Sequence, residues 1–130
     1  MKRLTTYTTA LVTALLSVTS VSGQTVTQRG VIYTLVEDHY KATGFNLASA
    51  EASNWGDTIT VATSIGDIPV TAIANNAFDA SVNADCAKAV ALKMGDCVET
   101  IGAYACYQCK ALTDVQFSKS LTSIGANAFY

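Results

Sequence analysis

The chain has 130 residues, 50% of them hydrophobic and 14% charged, with one proline and eight glycines. That content is too apolar for wholesale disorder and too short for several catalytic domains. A formal net charge of −2 with scattered basic residues offers no grip on a phosphate backbone, so no nucleic-acid partner is expected.

The N-terminus reads as an export signal. Lys2 and Arg3 precede an apolar run from Ala10 to Val18, and the small residues Ser20, Ser22 and Gly23 follow, which is the order a secretory signal peptide requires. Cleavage is expected near Gly23–Gln24, making 1–23 the signal peptide. Thr13, Ser17 and Thr19 interrupt the run, which is too short to span roughly 30 Å of hydrocarbon. No transmembrane segment is therefore expected after cleavage. Losing Lys2 and Arg3 takes the cations from 8 to 6 against 10 anions, a formal charge of −4 for a secreted or cell-surface product.

Further along, Glu37-Asp38-His39-Tyr40 forms a polar turn between two strand-like runs. His39 is the sole histidine, so any triad chemistry must pass through it; an exposed hairpin tip is the plainer reading. Trp55, in Ser53-Asn54-Trp55-Gly56-Asp57, is either an exposed aromatic for a sugar or protein or a plug on the end of the core.

A repeat organises the rest. Val70 to Phe78, Val98 to Cys106 and Leu121 to Phe129 share one skeleton: a branched apolar residue first, Ile fourth, Gly or Ala fifth, Ala eighth and a large or soft apolar residue ninth. Ile101 and Ile124 are 23 residues apart, whereas Ile73 and Ile101 are 28 apart. The first unit thus carries five extra residues, which fall in the polar stretch Asp79 to Asp85 and predict a loop bulging from one side of a stack. Between the skeletons, Leu92 and Met94 alternate with Lys93, as Val115 and Phe117 do with Gln116, the period-two mark of a half-buried strand. The Ile-Gly-x-x-Ala segment predicts a tight bend with a short helical turn, its Gly freeing the backbone.

The run Cys109-Lys110-Ala111-Leu112-Thr113-Asp114-Val115-Gln116-Phe117, continuing to Leu121-Thr122-Ser123-Ile124-Gly125-Ala126-Asn127-Ala128-Phe129, resembles the leucine-rich repeats of the BspA-like family. Cys106 stands where that pattern has Phe, and Ala74 where it has Gly. The resemblance implies a β-rich leucine-rich-repeat solenoid, with a strand and a short turn or helix per repeat. It also implies an N-terminal hairpin cap built from Val31–Leu35 and Tyr40–Phe45, a first solenoid strand at Thr58–Val61, and a role in protein binding or adhesion to host or matrix. The domain division is then 24–69 for the cap and first strand and 70–130 for the repeats, the last one incomplete. The strand from Thr113 to Phe117 is expected to be a poorly covered edge, inviting self-association.

The four cysteines, Cys86, Cys97, Cys106 and Cys109, all follow the export signal, where disulfides are permitted. Cys86 and Cys109 recur at the same repeat position, and strands about 4.8 Å apart bring such residues near bridging distance. Cys86–Cys109 is the candidate disulfide, with buried free thiols as the alternative. Cys106-x-x-Cys109 has the spacing of a thiol–disulfide oxidoreductase but lacks the βαβ context, and no second pair completes a zinc site. No enzyme, cofactor or metal is expected. The expected binding face comprises Lys93, Glu99, Asp114 and Gln116, which vary without disturbing a core. A truncated, non-functional repeat fragment is the remaining alternative.

Overall fold

The structure is a computed structural model that describes residues 23–47 and 56–130. The expected signal peptide, apart from Gly23, and Trp55 lie outside the described residues.

The described chain opens with an antiparallel meander of β1 (Thr25–Gln28), β2 (Val31–Val36) and β3 (His39–Phe45). Val31, Tyr33 and Leu35 alternate with half-buried neighbours and point into the core, as their spacing requires. Arg29 and Gly30, with φ of 53° and 86°, close the first hairpin with the positive-φ pair that matches strand twist. The two expected hairpin strands are present. β1 was not expected, because Val26 is its only apolar residue and there is no buried alternation to read.

The same sheet then changes direction of pairing. β3 pairs in parallel with β6 (Ile68–Ile73), β6 with β8 (Thr100–Ile101), and β8 with β10 (Ser123–Ile124), while β5 (Ser64–Ile65) folds back on β6. A second parallel sheet stacks β4 (Thr58–Val61), β7 (Ala91–Met94) and β9 (Asp114–Gln116). Each coil contributes one strand to each sheet, and the side chains between them form one core around Tyr33, Tyr40, Phe78, Ile59, Leu92 and Ile101. This is the β-rich leucine-rich-repeat solenoid.

Register follows the sequence repeat. Ile73 pairs with Ile101 and Ile101 with Ile124, while Ile59, Leu92 and Val115 form a second file in the other sheet. The five extra residues of the first unit are absorbed between Asp79 and a single 3-10 turn, Ala84–Lys88. The loop stands exposed at Ser81 and Val82 but is tied down at its base: Asn83 Nδ2 donates to the Phe45 carbonyl of β3, and Asp79 is buried.

The bends differ from expectation in two ways. They contain no α-helical turn among the described residues, and their glycines are not there for backbone freedom, since neither Gly102 nor Gly125 has a positive φ. A Cβ on Gly102 would collide with Asn75, including its backbone N at 2.5 Å; one on Gly125 would meet the Ala103 N at 2.5 Å. Space for the preceding coil is what demands glycine. The left-handed residue lies two positions later, at Asn76, Tyr104 and Asn127, with φ of 60°, 58° and 56°.

Tyr33 joins the cap to the second sheet. Its hydroxyl accepts from Ala62 N–H at 2.8 Å and lies 3.4 Å from the Thr60 carbonyl, to which it donates. Burial pushes its pKa up to about 12, against the Ala62 hydrogen bond and the Arg29 charge, which both lower it. Tyr33→Phe removes the acceptor of the part-buried Ala62 N–H and is expected to lower stability by about 1–3 kcal/mol in urea unfolding. Gly102→Ala is expected to cost a similar about 1–3 kcal/mol through overpacking. Gly44→Ala, whose Cβ meets only the Ile32 Cδ1 at 3.4 Å and Cβ at 3.9 Å, should stay within about 1 kcal/mol of the parent.

Candidate functional site

Backbone hydrogen bonds define what each coil offers its neighbour. The N–H after each Ile donates to the preceding coil: Ala74 to Ala42 O, Gly102 to Ile73 O, Gly125 to Ile101 O, at 2.7–2.8 Å. Farther round the bend the donation reverses. Asn76 and Phe78 donate to Ala103 and Ala105, and Tyr104, Cys106 and Gln108 donate to Ala126, Ala128 and Tyr130. In the terminal coil the equivalent donors, Asn127 and Phe129, have no following coil among the described residues.

Side chains there are uncovered to match. Ile73 and Ile101 are each 2% exposed, but Ile124, at the same position, is 49% exposed; Phe78 is fully buried, whereas Phe129 is 37% exposed. Tyr130 and Phe117 also stand open, with Leu121 and Val115 half-buried. Tyr130 stacks on Tyr107 at 5.5 Å and Phe117 meets Phe129 edge-on at 6.0 Å. The result is an apolar, aromatic-rich surface bordered by β9 and β10, which have no further strand partner among the described residues.

The four residues expected to form a binding face are all exposed, but on two sheets. Lys93 and Gln116 pair across β7 and β9, with Asp114 on the same strand as Gln116. Glu99 sits instead beside β8, its N–H donating to Thr71 O and its carbonyl accepting from Thr122. Alternation along the chain marked Lys93 and Gln116 as outward, but one-dimensional spacing could not assign the four residues to a sheet. His39 lies at the hairpin tip, its Nδ1 3.3 Å from the exposed Asp38 carboxylate.

All four cysteines are free thiols. Cys86 and Cys106 are buried, Cys97 and Cys109 partly so. Burial, aided by the charges of Cys109, Asp85 and Asp79, pushes Cys86 up to about 12. The neighbouring Cys109 thiol and then burial push Cys106 well above the ordinary 9.0, keeping it protonated. The same neighbour relation lowers Cys109, with help from Ala80 N–H and against burial and the Asp79 charge. As a neutral thiol, Cys109 Sγ donates to the Phe78 carbonyl at 3.1 Å, linking two coils. Among the described residues, no group of three or more His, Cys, Asp or Glu is placed to hold a metal ion.

Asp79 is the buried charge that sequence reading missed, because it opens a polar stretch that looked like exposed loop. Its carboxylate accepts from Asn76 Nδ2 at 2.7 Å, Ser81 N at 2.8 Å and Ser81 Oγ at 2.6 Å. Burial alone would raise its pKa, but these donors and the Val82 N–H hold it below the ordinary 3.8.

Comparison with known proteins agrees with this geometry. The sequence model described as a BspA type leucine-rich repeat region (6 copies) matches residues 71–130. A leucine-rich repeat protein from Bacteroides capillosus superposes with a TM-score of 0.68 at 23% identity, over 81% of this chain and 73% of that one. A T. pallidum leucine-rich repeat protein gives 0.61 at 22%, over 82% and 45%. A leucine-rich cell surface protein from Faecalibacterium prausnitzii gives 0.61 at 21%, over 85% and 29%. The chain thus spans less than half of the latter two. No curated protein matches the sequence, and among the described residues no helix is long and apolar enough to cross a membrane.

A depressed folded-state pKa contributes stability that is present above the unfolded value and lost as pH falls through the folded one. Urea midpoints of the parent are therefore expected to fall as pH drops through 3.8 and below. Asp79→Ala should lose about 1–3 kcal/mol at neutral pH and show a smaller acid-dependent decline than the parent.

Proposed function

We propose that this chain, whose residues 71–130 belong to the BspA-type leucine-rich repeat family, is an exported scaffold that works by binding protein, not by catalysis. The carrying observation is the open end of the solenoid, where Ile124, Phe129, Tyr130 and Phe117 stand exposed beside unpaired strand edges. Contiguous exposed apolar surface of this kind marks protein contact sites. The sides of the stack carry Lys93, Asp114 and Gln116, which can change without touching the core and suit a host or matrix protein partner. Export is supported by the order of charge, apolar run and small residues in 1–23, and one structural relative is described as a cell surface protein.

The occupant of the open end is a second copy of this chain. Among the described residues, the first sheet begins at the outer strand Thr25–Gln28, which is polar and mostly exposed and offers no matching apolar face. Head-to-tail growth is disfavoured, and the end that remains meets its own equivalent about a two-fold axis, which closes at two chains. β10 can then pair with its copy in antiparallel fashion.

A concentration series by light scattering is expected to show a monomer–dimer equilibrium. Ile124→Asp should weaken it at least about tenfold, the effect of roughly 1.4 kcal/mol, while Lys93→Ala leaves it unchanged. A parent chain that remains monomeric throughout would discard the two-fold contact. For export, secretion from a bacterial host should release a product beginning near Gln24; retention of the full chain inside the cell contradicts that part.

A further inference from the structure

On the side of the stack, the bends bring aromatic and polar groups together in a place that the open end does not use. Asp79, Tyr107 and Tyr130 occupy the same position in successive units. Ala80 N–H donates to the Tyr107 carbonyl and Gln108 N–H to the Tyr130 carbonyl, each at 2.9 Å, so these positions stack coil on coil. Tyr130 lies against one side of the Tyr107 ring, with centroids 5.5 Å apart and planes 12° from parallel, and Tyr104 meets that ring edge-on at 5.2 Å. A groove of about 520 Å³ is lined by Ala80, Ser81, Ala87, Tyr107, Gln108 and Lys110, within the range of small-ligand sites, about 300–1,000 Å³. Tyr107 belongs to its wall and Tyr130 does not, while Ala80, Ser81 and Ala87 come from the preceding unit. The groove therefore runs along the side of Tyr107 away from Tyr130. Its far bank is the five-residue insertion and the 3-10 turn that follows it, and insertions in solenoids commonly shape the binding face.

The polar groups of this lining are available. Ser81 is exposed, and its hydroxyl donates to Asp79, which leaves its oxygen lone pairs as acceptors. Among the described residues, the Gln108 amide and the Lys110 ammonium make no side-chain hydrogen bond or ion pair. Lys110 is the one charged residue of the lining. The nearby carboxylates are engaged elsewhere, Asp79 by Asn76 and Ser81 and Asp85 by Lys88. An aromatic wall, two alanines, an amide, a hydroxyl and one cation suit a ring with an apolar C–H face, hydroxyls around its rim and a single negative charge. We propose that this groove binds the hexuronate residues of an acidic glycan. With every substituent equatorial, a β-glucuronide presents C–H groups to Tyr107, hydroxyls in the ring plane to Gln108 and Ser81, and its carboxylate to Lys110 in a charge-assisted contact. The reading does not rest on the two-fold contact at the open end.

The test is titration of the isotope-labelled full chain, at fixed protein concentration, with methyl β-D-glucuronide and methyl β-D-glucoside, followed by amide shifts in NMR spectra. The glucuronide is expected to move Ala80, Ser81, Ala87, Gln108 and Lys110 saturably, with a Kd of the order of 1 mM, the strength typical of a ligand this small. The glucoside should bind about two- to fivefold more weakly, since an exposed ion pair contributes little. Lys110→Gln should bring the glucuronide to the glucoside's level. Ala87→Gln, which fills the groove while leaving the core intact, should weaken both at least about fivefold with a urea midpoint close to the parent's. If that variant fails to fold, the exposed Lys110→Gln carries the comparison. The absence of a saturable shift overturns the site, as do shifts confined to Ser123 and Ile124. Lactate moving the same amides as strongly overturns the sugar, leaving a lysine that attracts any anion. Equal affinity for the two glycosides, or glucuronide binding unchanged in Lys110→Gln, overturns the acidic part.

Discussion

The molecule depends on the close approach of one coil's backbone to the next. Donors leave each Ile-Gly step toward the coil before and the following bend toward the coil after, at distances of 2.6–3.0 Å. At that separation there is no room for a side chain at Gly102 or Gly125, and little at the buried Ala77, Ala105 and Ala128. A coil that buries only a few apolar groups cannot stand alone; stacking supplies both the missing hydrogen-bond partners and the missing apolar cover. Ile101 shows this directly, since its equivalents below and above are Ile73, buried, and Ile124, half open.

Much of this was legible in the sequence because the repeat is a translation, and translation preserves spacing. The 23- and 28-residue intervals become the pairings of Ile73, Ile101 and Ile124, and the Lys93/Gln116 alternation becomes two adjacent strands. The failures occur where local pattern and tertiary cause part company. β1 carries a single apolar residue and owes its strand to pairing with β2. Glycine at Gly102 looks like a hinge in one dimension and proves to be a clearance in three. Tyr104 adopts a left-handed backbone that its neighbours in the file assign to asparagine, a conformation that costs a bulky residue about 1–3 kcal/mol. Nothing in its own sequence context announced that.

Site chemistry was legible only as inventory. Alternation pointed to exposure at Lys93 and Gln116, but the distribution of Lys93, Glu99, Asp114 and Gln116 over two sheets required the coil's path in space. Asp79 was hidden by its surroundings, for a carboxylate among Asn, Ser and Asp reads as solvated loop until three donors are seen converging on it. For the cysteines, spacing brought Cys86 and Cys109 to equivalent positions, yet the hydrogen bond that Cys109 makes is from its Sγ to the Phe78 carbonyl of the preceding coil.

The insertion after Phe78 bears on how such a molecule can vary its length. Five residues were accommodated there without disturbing the pairing of Ile73 with Ile101, because the detour begins and ends outside the strands and is anchored at Asn83 and Asp79. A duplicated 23-residue unit is the complementary kind of change: appended after Phe129 it would find the same donors, the same clearances and the same apolar shelf already in place. Lengthening by whole units thus requires no invention in the existing coils, whereas a single residue gained inside Ile101–Cys106 would throw every later coil out of step. Gene duplication and slippage therefore meet very different tolerances within the same short stretch of chain.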